Sequence, residues 1–113
     1  MSELAQQKCS ACHPGAPLAT DDEVDRMMPQ LPDWQIIELD QIRRLKKNYS
    51  FKNFKQALTF TNAVGDIAEA EGHHPLITTE WGKVSVMWWT HKIRGLHVND
   101  FIMAAKTDSL YSG

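Results

Sequence analysis

Cysteine, proline and glycine are all scarce in this 113-residue chain, with two, five and six copies respectively. Two cysteines cannot build the disulfide framework that small secreted domains depend on. So few prolines and glycines, in no repeat, exclude collagen-like and low-complexity architectures. An excess of one charge is missing too: 12 Lys+Arg stand against 14 Asp+Glu, for a net charge of -2. That balance argues against a polybasic surface, so direct nucleic-acid binding is not expected. No run approaches the roughly 18 apolar residues of a membrane helix, and no membrane partner is expected. Residues 1–15 lack the basic region followed by an apolar stretch that marks a secretory leader. The expectation is a cytoplasmic protein whose Cys9 and Cys12 stay reduced.

What is present suits one globular domain. Residues 1–19 carry Pro14, Gly15 and Pro17 without periodicity and read as an irregular arm. Residues 20–113 read as a single domain. A chain this short buries only about 60–70% of its unfolded surface. A shallow site, or one completed by oligomer contacts, is therefore expected before a deep cavity.

The elements follow from local chemistry. Thr20 and Glu23 form a capping box before Val24, Met27, Met28 and Leu31, and Pro29 and Pro32 keep that helix short. Residues 34–39 and 42–51 read as a hairpin about Asp40-Gln41. Residues 53–71 give the clearest helix, with Phe54, Ala57, Leu58, Thr61, Val64 and Ala68 on one stripe and Gly72 as its stop. Residues 76–81 and 83–91 read as a second hairpin around Gly82-Lys83. Its later strand sets Val84, Val86, Trp88 and Thr90 on one face and Ser85, Met87, Trp89 and His91 on the other. Asn99-Asp100 opens a last helix. The order α-β-β-α-β-β-α implies an α+β fold, an antiparallel sheet with helices on one face.

Chemistry concentrates in Glu69-x-x-x-His73-His74-Pro75, followed by Thr90-His91 and Asp100. Histidine exchanges protons near neutral pH, and three of them with two carboxylates could form an acid–base cluster. Glu69 sits in the last turn of its helix, where a carboxylate opposes the macrodipole. Spacing alone leaves other readings open: incidental histidines, a solvated Glu69, or a metal site, which needs three or four converging ligands. Cys9-Ser10-Ala11-Cys12-His13 has the spacing of a c-type haem attachment or half a zinc site, but neither is complete. Arg43, Arg44, Lys46, Lys47 and Lys52, interleaved with Tyr49 and Phe51, read as a solvated strand face. The four tryptophans read mostly as core or interface.

The run Glu69 to Pro75, the aromatic Trp81, Thr90-His91, Gly95-Leu96 and Asp100 together resemble pterin-4a-carbinolamine dehydratases, in order and across most of the chain. Trp34 and residues 51–54 extend the match. The resemblance implies a four-stranded antiparallel sheet with three helices on one side, and a homo-oligomer, dimer or tetramer. It implies an enzyme that dehydrates 4a-hydroxytetrahydropterin to quinonoid dihydropterin, with no metal and no organic cofactor. The pterin would come from an aromatic amino-acid hydroxylase, with phenylalanine hydroxylase a possible partner. His73, His74 and His91 are the implied catalytic residues. Glu69, Pro75, Trp81, Thr90 and Asp100 are the implied binding and orienting ones. The expected division of labour has His73 and His91 exchanging protons while His74 holds the pterin. The rival expectation is a non-catalytic module acting as a transcriptional coactivator or hydroxylase partner, since animal relatives also serve as a dimerisation cofactor for a homeodomain transcription factor.

Overall fold

Each helix begins and ends on a local signal. In the computed structural model, described over residues 18–111, Thr20 caps α1 (Asp21–Met27). The Thr20 hydroxyl accepts from the Glu23 amide at 3.1 Å, and the Glu23 carboxylate accepts from the Thr20 amide at 2.8 Å. A 3-10 turn, Met28–Gln30, follows, with Pro29 inside it. The N-terminal arm and its cysteine motif lie outside the described residues.

Strands β1 (Gln35–Leu39) and β2 (Ile42–Ser50) pair antiparallel across a two-residue turn. Asp40 and Gln41 both take left-handed backbone angles, φ 52° and 65°. That is the primed turn whose twist matches the strands it joins. β3 (Leu76–Glu80) and β4 (Lys83–Trp88) pair the same way, with Trp81-Gly82 as the turn. Gly82 adopts φ 74°, and a Cβ there would sit 3.3 Å from the Phe51 carbonyl. The sheet order is β1-β2-β4-β3, with every neighbour antiparallel. Helices α2 (Phe54–Glu71) and α3 (Val98–Leu110) lie across the sheet, giving the expected α+β arrangement. No helix among the described residues is long and apolar enough to cross a membrane.

The covered sheet face carries Leu45, Tyr49, Val84, Val86 and Trp88, all buried against Val64, Phe101 and Met103 of the helices. The buried stripe of α2 is Ala57, Phe60, Val64 and Ala68. It is rotated from the expected one, which leaves Phe54 and Leu58 partly in solvent, 43% and 41% exposed. Phe60 sets that rotation. Its ring packs 4.6 Å from Tyr49 and 5.2 Å from Phe51, an aromatic cluster that Tyr111 completes.

The basic strand also differs from expectation. Arg44 is buried, and Lys47 turns to Asp108 of α3, Nζ to Oδ1 at 2.8 Å. The Tyr49 hydroxyl donates to the same oxygen at 2.5 Å. Burial, then the hydrogen bond and charge of Asp108, push the Tyr49 phenol well above the usual tyrosine range. Below about pH 10 both folded and unfolded chains keep this proton, so its effect on stability is constant. Above that pH only the unfolded chain ionises here, and stability falls by about 1.4 kcal/mol per pH unit. Tyr49→Phe is expected to lose this share of the alkaline slope, read by urea unfolding between about pH 9 and 11.

A candidate active site around Asp100

Asp100, in the first turn of α3, has no solvent exposure, so its carboxylate must find its partners inside the protein. Three donors supply them. Oδ1 lies 2.6 Å from His73 Nε2. Oδ2 accepts from the Thr90 hydroxyl at 2.8 Å and from the His97 backbone N–H at 2.9 Å. An ionised carboxylate only accepts, so His73 donates from Nε2, and a neutral ring then carries its lone pair on Nδ1. The same imidazole stacks on Trp88, with centroids 5.7 Å apart and planes within 7°. One hydrogen bond and one flat contact thus fix both direction and plane.

The chain reaches this point through a glycine. Gly72 closes α2 in the left-handed conformation, φ 65°. The Gly72 amide donates to the Glu69 carbonyl and the His73 amide to the Ala68 carbonyl, the paired bonds of a Schellman motif. His73 is turned inward and His74 outward. His74 is exposed, with Nε2 2.6 Å from Glu69 Oε1, itself 81% exposed. A pair so open to water holds the ring only weakly. Pro75, half-buried, biases His74 toward extended backbone and leads into β3.

His91 does not end a strand, as expected from alternation. β4 stops at Trp88, and His91 opens a 3-10 turn, His91–Ile93. The turn is pinned because Thr90 bridges Gly95, its amide donating to the Gly95 carbonyl at 2.8 Å. His91 is exposed and rests on Trp89, ring centroids 4.4 Å apart. Asp100 therefore gathers His73 and Thr90 directly, and each brings its chain neighbour, His74 or His91, to the same end of the sheet.

Trp81 is placed elsewhere. It sits 72% exposed in the β3–β4 turn. The whole of β3 separates it from Pro75, roughly 17 Å at 3.3 Å per residue. Within one chain it is not brought to the histidines. His97, conversely, is not among the sequence candidates, because Asn99-Asp100 reads as the opening of the last helix. It is the N-cap of α3, its Nδ1 accepting from the Asn99 amide at 3.0 Å. The readable signal is His97-x-x-Asp100, a capping box with imidazole in place of a hydroxyl. His97→Ala is expected to cost about 1 kcal/mol, and His97→Ser to restore most of it. Thermal unfolding of both variants checks this.

The sequence profile of the family described as pterin 4 alpha carbinolamine dehydratase matches residues 17–110. The chain belongs to the pterin-4a-carbinolamine dehydratase family. A relative from Syntrophotalea carbinolica, named "Putative pterin-4-alpha-carbinolamine dehydratase", is 58% identical over 110 residues, covering 97% of this chain and 98% of its own. The crystal structure of a transcriptional coactivator/pterin dehydratase from Brucella melitensis superposes with a TM-score of 0.75 at 26% identity, covering 85% of this chain and 100% of that one. A pterin dehydratase-like protein identified as a RuBisCO assembly factor in the alpha-carboxysome shares the fold, with a TM-score of 0.59 at 22% identity over 72% of this chain and 92% of its own.

For a member of this family, the arrangement offers a defined chemical capacity. A buried acceptor holds the His73 imidazole by its Nε2, while His74 and His91 are exposed at the same end of the sheet. Among the described residues, no three His, Cys, Asp or Glu side chains are grouped as metal ligands. A groove of about 740 Å³ lies away from this cluster, at the opposite end of α2 between Phe51, Lys55, Phe60 and Tyr111.

Proposed function

We propose that this protein dehydrates 4a-hydroxytetrahydropterin to quinonoid dihydropterin, with His73, His74 and His91 as its working groups. Family membership supports the reaction class. The observation that carries the residue assignment is the Asp100 carboxylate, which ties His73 to Thr90, the residue before His91.

The reaction removes a proton from N5, forms the C4a–N5 double bond and expels the C4a hydroxyl. If that oxygen leaves as water, it must gain a proton as the bond breaks. One imidazole takes the N5 proton and another, as imidazolium, protonates the leaving oxygen. His73 and His91 fill these two roles. His74, paired with Glu69 at the rim, holds the flat ring. Asp100 acts as the carboxylate of a catalytic triad does, by fixing tautomer and direction without taking the proton itself. Each positioned acid or base contributes on the order of 10²–10⁴ in rate. The product returns to the pterin cycle of an aromatic amino-acid hydroxylase.

The test adds the purified protein to a phenylalanine hydroxylase reaction and follows the absorbance of the 4a-hydroxypterin transient. Faster collapse of the transient than in buffer is expected, with most of the acceleration lost in His73→Ala and His91→Ala. Decay at the buffer rate with the unaltered protein would overturn the reading. It would favour instead a binding role of the kind in the Brucella protein's description as a coactivator.

A further inference from the structure

We propose that Arg44 is a positioning residue for His91, acting through Trp89; this rests on the dehydratase reading above. Arg44 and Trp89 are each one position from Leu45 and Trp88, so alternation turns both to the sheet face opposite that pair, and His91 follows in the 3-10 turn. Leu45 of β2 pairs with Trp88 of β4, so the next position outward sets Arg44 across from Trp89. The guanidinium carbon sits 4.1 Å from the centre of the Trp89 ring. The other face-to-ring contact of that indole is with His91, at 4.4 Å between centroids and 36° between planes. A cation and a working imidazole therefore share one tryptophan.

Arg44 is an expensive choice for this place. It is only 9% exposed, its Nη2 donates to the Leu39 carbonyl at 3.3 Å, and its Nε has no hydrogen-bond partner among the described residues. Removing a guanidinium from water without a carboxylate costs free energy that a Leu or Met here would not incur. Such local violations cluster where function is served. What the arginine supplies is a planar cation on an indole, an attraction strengthened where water is excluded. Trp89 needs that hold, because its position follows β4 rather than lying within it, past the last ladder pair. His91 needs Trp89 in turn. Its backbone is fixed by the 3-10 turn, but its ring is exposed, and the indole is the surface it rests on. Lysine would keep the charge but lose the planar stack and the fork that reaches Leu39.

The test is a double-mutant cycle between Arg44→Met and His91→Ala in the carbinolamine assay, alongside NMR of the His91 ring. Methionine retains the length and apolar stem of the arginine. In the His91 background, Arg44→Met is expected to lower kcat about tenfold with KM changed less than about twofold, since misorientation of an acid–base group slows the chemical step. In the His91→Ala background the same change is expected to cost less than about twofold, because the two act as one unit. Arg44→Lys should fall between. Equal losses in both backgrounds, or no loss in either, would overturn the proposal.

The NMR arm does not depend on turnover. The His91 ring protons are expected to carry a ring-current displacement from Trp89 that shrinks in Arg44→Met. An unchanged displacement would overturn the proposal even if the protein proved to have no dehydratase activity. Should Arg44→Met fail to fold, Arg44→Lys takes its place in both arms, with smaller effects expected in the same directions.

Discussion

Asp100→Asn is expected to lower kcat/KM for carbinolamine dehydration by about 10²–10⁴-fold while the protein stays folded. The new amide can point only one way. Oδ2 of Asp100 receives two donors, the Thr90 hydroxyl and the His97 backbone N–H. The His97 amide cannot accept, so an NH₂ placed there would set hydrogen against hydrogen. The asparagine oxygen is therefore held on that side, and its NH₂ is left facing His73 Nε2, which now has the carboxylate at 2.6 Å. An NH₂ donor forces Nε2 to accept and moves the ring proton to Nδ1. The ring keeps its place against Trp88 but in the opposite tautomer, with its proton moved from Nε2 to Nδ1. Stopped-flow decay of the 4a-hydroxypterin measures the rate, and a melting curve confirms the fold. A rate within about threefold of the unaltered protein would remove His73 from the chemistry. Asp100→Ala is a poorer probe, because it strands three buried donors and costs stability as well.

The sequence revealed features whose determinants are close together in the chain. The Thr20–Glu23 box, the Asp40-Gln41 turn and the Gly72 stop each rest on residues within a few positions of one another, and each is realised in the fold. The α2 stripe was displaced because Phe60 is chosen by Tyr49 and Phe51 on a strand, not by helical periodicity. Arg44 and Lys47 read as solvated because their partners, Trp89 and Asp108, are distant in sequence. The site shows the same division. Spacing could nominate the histidines but could not join His73 to Asp100 across 27 residues. The family resemblance supplied that grouping, because an ordered motif carries the three-dimensional outcome with it. His97 escaped because an imidazole is an uncommon helix cap, although its distance from Asp100 was correct.

The largest loss of stability is expected at the far end of the same helix. Asp108 accepts from Trp34 Nε1 at 3.1 Å, from Lys47 Nζ at 2.8 Å and from the Tyr49 hydroxyl at 2.5 Å. One carboxylate thereby ties α3 to β2 and to the tryptophan that precedes β1. Asp108→Ala leaves the buried Tyr49 hydroxyl and the Trp34 N–H without their acceptor and Lys47 without its counter-charge. Unsatisfied buried donors cost about 1–3 kcal/mol each, and Lys47 adds less because it keeps some contact with water. A total near 3 kcal/mol is expected, lowering the melting temperature by roughly 12–24 °C for a domain of this size. Asp108→Asn should recover part of this, since its oxygen still accepts from Tyr49. Turnover below the melting range should be unchanged, because Asp108 lies eight residues from Asp100, about 12 Å along the helix. Adding Tyr49→Phe to Asp108→Ala should cost little more than Asp108→Ala alone, since both remove the same bond. If Asp108→Ala instead melts within about 2 °C of the unaltered protein, the three donors are satisfied by water, and the hold between α3 and β2 comes from Phe101, Met103 and their apolar neighbours.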